Sequence, residues 1–504
     1  MQENTSSIDK GVTIASVACC AIFIVATLIS ADGVKAVFDT LFKFFITNFG
    51  WSYLLIVAGF VVFCFGIAFS KYGSIKLGKD DDKPEFSMMA WFSMLFAAGM
   101  GIGLVFWGVA EPVYHFAGPP FAEPKSAQAG LDAMRITFFH WGFHPWACYA
   151  VVAMLLAYSH FRKGNPCQLS WILEPLIGRK RVEGLIGKSI DTLAIVVTLF
   201  GVATSLGLGA MQVSTGLSEL FGIAKSTSIS ITVIVVVTFL YILSAVSGVN
   251  KGIKILSNTN MVLAFGLLVL MLSAGPTVYI LELFIESLGS YLQNIISMSF
   301  FLDASDGVAK HAGYEWIGAW TVFYWAWWLT WAPFVGAFIA RISKGRTIKE
   351  FVLGALIAPT LLCAVWFSIM GGSAIQMELA DATVGIADAT FKDVTMAIFV
   401  MFNNFPMGFF LSLMSMIIVC VFFITSADSA TYVVGVMSSG GNLNPNNKLK
   451  IFWGVLCSTL AAMLLLTGGL KAIQTVAFVV SFPFMILMVV MIFAFMRSLK
   501  SEKI

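Results

Sequence analysis

Long apolar runs, separated by short polar segments, make up most of the chain. Many of these runs reach the ~18–20 residues that an α-helix needs to cross a lipid bilayer. Windows of about 19 residues therefore predict an all-α integral membrane protein with twelve transmembrane helices. The predicted helices lie near Gly11–Ser30, Trp51–Ser70, Met88–Val109, Ile136–Tyr158, Ile190–Ala210, Ile229–Val246, Asn260–Ala274, Trp316–Ala340, Phe351–Met370, Phe405–Ala427, Ile451–Thr467 and Ile473–Met496.

One apolar stretch, Tyr279–Phe301, differs from the others because it carries Glu282, Glu286 and Gln293. Polar residues that recur along one side of an apolar segment predict an amphipathic helix. We expect this helix to lie on or against the transmembrane bundle rather than to cross the membrane.

The distribution of basic residues predicts how the chain is oriented. If the twelve helices alternate in direction, most of the 30 Lys and Arg residues fall in segments on the side of the N-terminus. The positive-inside rule then places both termini in the cytoplasm. The segment before Gly11 lacks the basic region and small-residue cleavage site of a secretory signal, so we expect the first apolar run to be retained.

Composition excludes several classes of protein. Hydrophobic residues make up 59% of the chain and charged residues only 11%, whereas a soluble domain needs roughly 25% charged residues. The net charge of +3, without a basic block, argues against binding to nucleic acid. The eight cysteines form no CxxC pair, which favours small buried side chains over disulfides or a zinc site. The sequence shows neither the clustered catalytic side chains of an intramembrane enzyme nor the soluble output domain of a receptor.

The third predicted helix contains the string FAAGMGIGLVFWG, in which Gly99, Gly101 and Gly103 alternate with larger residues. Each glycine inside a helix costs about 1 kcal/mol relative to alanine. Two interpretations are open: close packing of helices through small residues, or a locally unwound helix whose free backbone groups line a binding site. The string does not indicate a nucleotide-binding loop, because no strand precedes it.

The start of the fourth predicted helix reads FHWGFHPWACYA, with Trp141, Trp146 and Tyr149 close to a proline that interrupts helical hydrogen bonding. Aromatic residues at the end of a transmembrane helix usually form an interfacial belt. His140 and His144 have the i, i+4 spacing of a metal site. We do not favour a metal here, because no nearby carboxylate or thiol in the sequence completes a ligand set.

The eighth predicted helix contains the block WTVFYWAWWLTWAPF, whose aromatic side chains run through about four helical turns. Four of them follow the spacing i, i+4, i+8 and i+11 and share one face of the helix: Phe323, Trp327, Trp331 and Phe334. Trp328 lies beside this face. An interfacial belt would place only one or two aromatic residues at each end. The block therefore predicts either bulky packing or an aromatic cage for a quaternary ammonium ion, which cannot donate hydrogen bonds.

The tenth predicted helix ends in FFITSADSA, where Thr425 and Ser426 place hydroxyl groups in an apolar helix. Such hydroxyls either bond back to the preceding turn or, with carbonyls of an unwound segment, bind a small hard cation such as sodium. Charged residues inside a membrane suggest function. Asp428, Glu111 and Asp191 are of this kind, although the last two are also suited to capping helix ends.

The sequence ATSLG in the fifth predicted helix is echoed by ITSAD in the tenth. This echo fits two five-helix repeats of inverted topology, formed by helices 3–7 and 8–12. The predicted divisions are a cytoplasmic N-terminus (1–10), two peripheral helices (11–80), the first repeat (81–275), an amphipathic connecting helix (276–315), the second repeat (316–496) and a short cytoplasmic tail (497–504).

Four motifs together resemble the betaine–choline–carnitine transporter family: GMGIGLVFWGVAEP, FHWGFHPWACYA, FYWAWWLTWAPFVGAFIARISKGRT and FFITSADSA. The resemblance extends from about Trp51 to Phe495. It implies a secondary active transporter of trimethylammonium compounds. It also implies the leucine-transporter fold, with the inverted repeats described above, and a homotrimeric assembly.

The resemblance further implies which residues bind the substrate. The family's aromatic box matches Trp141, Trp146, Tyr149, Phe323, Trp327, Trp328 and Trp331, and its unwound betaine-carrier motif matches Gly99, Met100, Gly101 and Gly103. Choline carriers of the family tend to place an aspartate in this glycine string, and the present string has none. The resemblance therefore favours a zwitterion such as glycine betaine, whose carboxylate could meet free backbone amides.

Sodium coupling also follows from the resemblance. One sodium site of the family matches Ala97, Met100, Phe422, Thr425 and Ser426. The sodium-independent carnitine exchangers lose these hydroxyls, so their presence here implies dependence on sodium. A second sodium site matches only at Thr198 and Phe334, because Val202 replaces the second threonine and offers no oxygen.

The expected function is sodium-coupled symport of glycine betaine, or of a related trimethylammonium or betaine osmolyte, by alternating access in the cytoplasmic membrane. A proton-coupled choline carrier or a carnitine exchanger is the alternative. The expected partners are sodium, a small quaternary ammonium zwitterion and membrane lipid, without nucleic acid. Some members of the family sense osmotic stress through a long basic C-terminal tail, and we do not expect that regulation here.

Overall fold

The structure is a computed structural model that describes residues 8–99, 101–246 and 250–502, with the backbone alone at 96–99, 244–246 and 250–257. Within these residues the chain is helical, and its only β structure is one antiparallel bridge between Lys76 and Thr347. The long helices are α1 (Lys10–Ile29), α2 (Ala31–Ala68), α3 (Met88–Gly99), α4 (Ile102–Ala117), α5 (Ala127–Trp141), α6 (Phe143–Ala157), α7 (Leu185–Phe221), α8 (Thr227–Val246), α9 (Asn250–Ala274), α10 (Thr277–Ser299), α11 (Phe323–Ile342), α12 (Ile348–Ala380), α13 (Gly408–Ser438), α14 (Asn447–Gly468) and α15 (Leu470–Leu499).

Short helical pieces connect the long helices. Two π-helical turns occur, at Tyr158–Arg162 after α6 and at Gly318–Val322 before α11. The other short helices are Lys71–Ser74, Leu169–Leu173, Glu174–Ile177, Arg179–Val182, Gly307–Ala312, Ala382–Val384, Ile386–Lys392, Val394–Met396 and Ala397–Asn403.

Each of the twelve predicted transmembrane segments coincides with helix, so the prediction of an all-α fold is confirmed. In the described part of the chain, eight helices are long and apolar enough to cross a membrane. The pair Asn258–Ala274 and Thr277–Ser299, which is bent by 110°, would add a ninth if it formed one span. The third and fourth predicted segments fall outside this set because each of them is divided into two shorter helices.

The two divided segments break beside glycine. Gly101, just before α4, has an extended backbone with φ −142° and ψ −171°. Gly142, between α5 and α6, has φ −91° and ψ −132°. Pro145, three residues further on, has no backbone N–H and fits the first turn of α6. Of the two interpretations of the glycine string, the structure supports the interrupted helix, although Met100 itself lies outside the described residues.

The amphipathic helix predicted at Tyr279–Phe301 corresponds to α10. One face of α10 is buried through Ile280, Leu283 and Tyr291. The opposite face exposes large apolar side chains, including those of Ile285 and Ile296. Helix α10 therefore packs against the bundle along one side and leaves an apolar side uncovered within this single chain.

Helices α6 and α11 form the centre of the bundle. Every residue of His144–Ala157 in α6 and of Phe323–Gly336 in α11 is buried. A helix that is apolar and buried on all sides must be surrounded by other helices. The long helix α7 passes next to this centre, where the Trp331 indole donates a hydrogen bond to the carbonyl of Gly201. The two aromatic motifs are thus held inside the protein.

Candidate functional site

The aromatic side chains predicted from two distant motifs form one cluster. Trp141, at the end of α5, packs edge-on against Trp328 of α11, with ring centroids 4.8 Å apart. Trp327 stacks on Trp328 at 4.7 Å. All three side chains are at most 6% exposed. The indoles therefore face the interior of the bundle, as a cage requires and an interfacial belt does not.

The remaining predicted rings extend this cluster in two directions. Phe323 stacks on Trp327 with centroids 5.8 Å apart. On the other side, Tyr149 lies 6.4 Å from Trp328, and Trp146 packs on Tyr149 at 5.6 Å. The seven ring residues predicted for the box are therefore contiguous, with Trp331 joined to Trp327 at 6.5 Å.

The glycine string meets this aromatic cluster at the break between α3 and α4. A Cβ atom added to Gly103 would lie 2.6 Å from Cη2 of Trp327 and 3.2 Å from Cη2 of Trp141. A Cβ atom added to Gly101 would lie 3.5 Å from Cη2 of Trp331. Real Cβ contacts below 3.0 Å are essentially never seen, so glycine at 103 is what lets these indoles touch the backbone. Gly99 ends α3, on the other side of the break.

The indole N–H groups of the cluster differ in how they are satisfied. Trp328 donates to the backbone carbonyl of His140 at 3.0 Å, and Trp141 donates to a carboxylate oxygen of Glu111 at 2.7 Å. The indole nitrogen of Trp327 is buried without a hydrogen-bond partner among the described residues. A buried donor without a partner costs about 1–3 kcal/mol. This N–H is therefore available to an acceptor brought by a ligand.

A cavity of about 240 Å³ lies between α11, α13 and α9. Trp331 and Phe334 line its α11 side, and the α13 side carries three of the residues predicted for sodium: Phe422, Thr425 and Ser426. One end of the aromatic cluster and the predicted sodium residues thus share one enclosed space.

Among the predicted sodium residues, Thr425 has a defined hydrogen-bonding pattern. The Thr425 hydroxyl donates to the carbonyls of Val421 and Phe422 at 3.1 and 3.3 Å, which is the back-bonding that a helical threonine commonly makes. Its oxygen retains lone pairs for a cation. Ala97 is described only by its backbone within α3, and Met100 lies outside the described residues.

The partial second sodium site is less favourable. The Thr198 hydroxyl is buried and donates to the carbonyl of Ala194 at 2.8 Å within α7. Val202, one turn further along, is also buried and offers no oxygen. Phe334 lines the cavity described above.

Glu111 does not cap a helix, contrary to one interpretation of the sequence, but lies fully buried inside α4. One carboxylate oxygen, Oε1, lies 2.7 Å from Nδ1 of His140. The other, Oε2, accepts hydrogen bonds from the indole of Trp141 and from the phenol of Tyr324. The carboxylate thus joins α4, α5 and α11 directly beside the aromatic cluster.

Comparison with known proteins gives a family for this arrangement. A profile described as "BCCT, betaine/carnitine/choline family transporter" matches residues 11–504. The chain belongs to the BCCT family. As a BCCT protein it is a multi-pass membrane transporter and not an enzyme, which confirms the family resemblance seen in the sequence.

Several named transporters are similar to the chain over nearly its whole length. The glycine betaine transporter OpuD of Bacillus subtilis (strain 168) is 49% identical over 477 residues, covering 94% of this chain and 91% of OpuD. A probable glycine betaine transporter of Desulfitobacterium hafniense (strain Y51) is 43% identical over 95% of each chain. An ectoine/hydroxyectoine transporter of Virgibacillus pantothenticus is 43% identical, covering 96% of this chain and 94% of that protein.

A second cavity, of about 200 Å³, continues from the first in this BCCT transporter. The two cavities share Phe338 and Ser429 as lining residues. The second cavity is also lined by Arg341 and Asp428, so its walls carry both charges. Together the two cavities extend from Trp331 along about three turns of α11, toward the predicted cytoplasmic end of that helix.

Asp191 lies inside α7 rather than at its start, so it does not cap this helix. Its carboxylate accepts hydrogen bonds from the backbone and hydroxyl of Ser170 and from the amide of Gln168. These contacts fix the Leu169–Leu173 turn against the bundle. Asp191 therefore holds the connecting segment between α6 and α7 in place by hydrogen bonds.

Sequence reasoning did not single out Asn260. Its side chain lines the first cavity beside Thr425 and Ser426, is 1% exposed, and has neither amide atom hydrogen-bonded among the described residues. An asparagine at the start of a long apolar run is the signal that could have identified it. Tyr324 was noted in the aromatic block, but its bond to Glu111 depends on helix packing.

Proposed function

We propose that this BCCT protein is a sodium-coupled symporter of glycine betaine, or of a related trimethylammonium or betaine osmolyte, that works by alternating access. The observation that carries the proposal is the shared cavity, in which Trp331 and Phe334 face Phe422, Thr425 and Ser426. Sodium and substrate binding at adjoining surfaces can influence one another through the residues that separate them. That mutual influence is what coupling requires.

The aromatic cluster suits the cationic end of the substrate. A methylated ammonium carries no N–H, so ring faces replace hydrogen bonds, each contributing about 0.5–2 kcal/mol. The carboxylate end needs donors instead. The indole N–H of Trp327, which has no hydrogen-bond partner among the described residues, belongs to the ring that touches the backbone at Gly103. A zwitterion would therefore satisfy both kinds of group.

Oxygen atoms suit the sodium ion. Hydroxyl and carbonyl oxygens near an interrupted helix are the usual ligands for sodium in transporters of this kind. Thr425 and Ser426 supply two hydroxyls, and Asn260, which lines the same cavity, has an amide oxygen without a hydrogen-bond partner in the described part of the chain. We add Asn260 to the predicted ligands on this ground. The site at Thr198 would bind sodium less well, because Val202 provides no oxygen.

The alternatives are a proton-coupled choline carrier and a carnitine exchanger. Choline lacks a carboxylate and offers a single hydroxyl oxygen to these donors, whereas the carboxylate of a betaine offers two oxygens. An exchanger would not need the hydroxyls at 425 and 426. Because one relative carries a name for ectoine and hydroxyectoine transport, these two compounds belong in the substrate panel beside glycine betaine.

The decisive experiment is uptake of labelled glycine betaine into proteoliposomes that contain the purified protein. We expect uptake to require an inward sodium gradient and to stop when potassium replaces sodium. Glycine betaine uptake that needs only a proton gradient, or only internal carnitine, would overturn the proposal in favour of one of the alternatives. Competition by choline, carnitine and ectoine in the same assay ranks the substrates.

We further propose that the protein lies in the cytoplasmic membrane with both termini inside and assembles as a homotrimer. The distribution of basic residues supports this orientation. The exposed apolar side chains of α10, such as Ile285 and Ile296, need cover from lipid or from another copy. Accessibility of introduced cysteines near the termini, and cross-linking in native membranes, would test the two statements separately.

A further inference from the structure

Three metal-ligating atoms converge in the interior of the bundle, beside the substrate cluster but outside it. They are Oε1 of Glu111, Nε2 of His115 and Nδ1 of His140. The carboxylate oxygen lies 3.6 Å from the His115 nitrogen and 2.7 Å from the His140 nitrogen, and candidate ligand atoms of the three residues all lie within 4.8 Å of one another. All three side chains are fully buried.

In Glu111 and His140, the second polar atom of the side chain, which would not bind the metal, already has a hydrogen-bond partner. Trp141 and Tyr324 donate to the second oxygen of Glu111. The Nε2 atom of His140 lies 2.9 Å from the hydroxyl of Thr321. Partners of this kind orient ligands and select the histidine tautomer in known metal sites. In the tautomer in which Nε2–H of His140 donates to Thr321, Nδ1 carries a lone pair, and a metal bound there would replace the present 2.7 Å contact between Nδ1 and Oε1 of Glu111.

The polar atoms of His115, unlike those of Glu111 and His140, receive no hydrogen bonds from the described residues around them. Both of its ring nitrogens are buried and have no hydrogen-bond partner in the described chain. Its ring lies 4.4 Å from that of Trp320 and 5.4 Å from that of Trp316, so packing fixes it without satisfying its polar atoms. Leaving a buried polar atom unsatisfied costs about 1–3 kcal/mol. A metal ion at Nε2 would remove one of these penalties.

A cavity lies beside this cluster. It has a volume of about 250 Å³ and is lined by residues that include Trp316 and Thr321. Thr321 contacts His140, and Trp316 contacts His115. An ion in this cavity would therefore be separated from the three ligands by only one layer of side chains.

We propose that Glu111, His115 and His140 form a binding site for a divalent transition metal, with zinc the best match. Two histidines and one glutamate make up a known zinc ligand set, which leaves a fourth position for water. Zinc–ligand bonds of about 2.0–2.2 Å place tetrahedral ligands about 3.3 Å apart. The observed separations span that value, so small side-chain shifts complete the site.

The site would connect two neighbouring helices of the bundle. Glu111 and His115 lie on α4, whereas His140 lies on α5. Glu111 also holds Trp141 and Tyr324 at the substrate cluster. A metal ion bound at the site would resist movement of α4 against α5, and we therefore expect it to slow transport.

Metal binding to the purified full-length protein tests the proposal independently of transport. Equilibrium dialysis with zinc should give one ion per chain, and cobalt should give the visible absorption bands of a low-coordinate histidine site. His115→Gln and His140→Gln should abolish both signals. The control is the double variant His160→Gln with His311→Gln, which removes two histidines outside the cluster and should bind as the parent does.

Size-exclusion elution identifies variants that fail to fold, and His115→Gln alone decides the question if His140→Gln does not fold. Stoichiometric binding that His115→Gln abolishes supports the site. Binding that survives His115→Gln, or no binding above a histidine-free control peptide, overturns it. In proteoliposomes, zinc should inhibit betaine uptake by the parent but not by His115→Gln. A failure of uptake itself would count against the proposed function, not against the metal site.

Discussion

The backbone of Gly103 touches the indole of Trp327 so closely that a Cβ atom at 103 would lie 2.6 Å from the ring. Gly103 belongs to the first turn of α4, and Trp327 lies in the middle of α11. This contact joins the interrupted helix of the glycine string to the aromatic cluster. It explains why a residue that weakens a helix is placed there.

Gly103→Ala should sharply reduce glycine betaine uptake, because the added methyl group must displace Trp327 or Trp141 from the cluster. We expect a raised KM with little change in the amount of folded protein, measured by uptake and by size-exclusion elution. Gly101→Ala should have a smaller effect, since its Cβ atom would make an ordinary 3.5 Å contact with Trp331. Gly266→Ala, at a position with open space, is the neutral control. Equal effects at 101 and 103 would refute the steric explanation.

Trp328→Leu should weaken substrate binding. Trp328 contacts Trp141, Trp327 and Tyr149, and the loss of one ring face from a cation site costs about 0.5–2 kcal/mol, or about 2- to 30-fold in affinity. Binding of labelled glycine betaine to purified protein measures the change.

Loss of packing is the competing explanation for a weaker Trp328→Leu variant. Trp453→Leu provides the control, because Trp453 is fully buried in α14 and hydrogen-bonds to Ser438 away from the cluster. Both variants should lower thermal stability, but only Trp328→Leu should lower affinity. Near-parental affinity in Trp328→Leu would remove this residue from the cage.

The double variant Thr425→Ala with Ser426→Ala should lose the sodium dependence of transport, because it removes two hydroxyl ligands from the cavity wall. The expected result is a strongly raised sodium concentration for half-maximal uptake, measured at fixed betaine. Ser429→Ala is the matched control, since Ser429 lines the same cavity one turn further along α13. An unchanged sodium requirement in the double variant would show that these hydroxyls are not ligands.

Glu502, in the segment after α15, is held by the turn that follows α6. Its carboxylate lies 2.7 Å from Arg162 Nη2 and 2.7 Å from Lys163 Nζ, and it accepts a hydrogen bond from Tyr158. Partial burial alone would raise the pKa of Glu502, but the bonds with Arg162, Lys163 and Tyr158 outweigh it and lower the pKa to about 2. Arg162 also bonds to Asp80, so this contact joins three intracellular segments in the predicted orientation.

A lowered pKa means that the carboxylate stabilises the fold above its ordinary pKa of 4.5, and that this contribution is lost as the pH falls toward about 2. Glu502→Gln should therefore lower the melting temperature more at pH 7 than at pH 3, where part of the ionic contribution has already been lost. Thermal unfolding in detergent measures both. Glu183→Gln, which breaks an exposed pair with Arg179, should be nearly neutral at both pH values. A destabilisation by Glu502→Gln that is equal at both pH values would contradict the ionic explanation.

The sequence by itself determined the helices and the residue types of the site. Membrane-spanning length and apolar composition are properties of a continuous segment, so the twelve segments could be located without a fold. The stripe Phe323, Trp327 and Trp331 follows from helical periodicity, and the alternating glycines of the third segment mark a weak helix by their own conformational cost. These features depend on neighbours within a few residues.

Only the tertiary structure decided which polar groups meet. Glu111 and Tyr324 are 213 positions apart, and Glu111 and His140 are 29 apart, so no local pattern could pair them. The sequence pattern accordingly indicated no carboxylate for His140 and left Glu111 open between a functional intramembrane residue and a helix cap. Asn260 and Thr425, which are also distant in sequence, line one cavity because α9 packs beside α13. In an apolar bundle, the packing of whole helices sets the distances between these polar groups. The few polar side chains hardly change the hydrophobic pattern of the sequence, so that pattern could not predict which of them would meet.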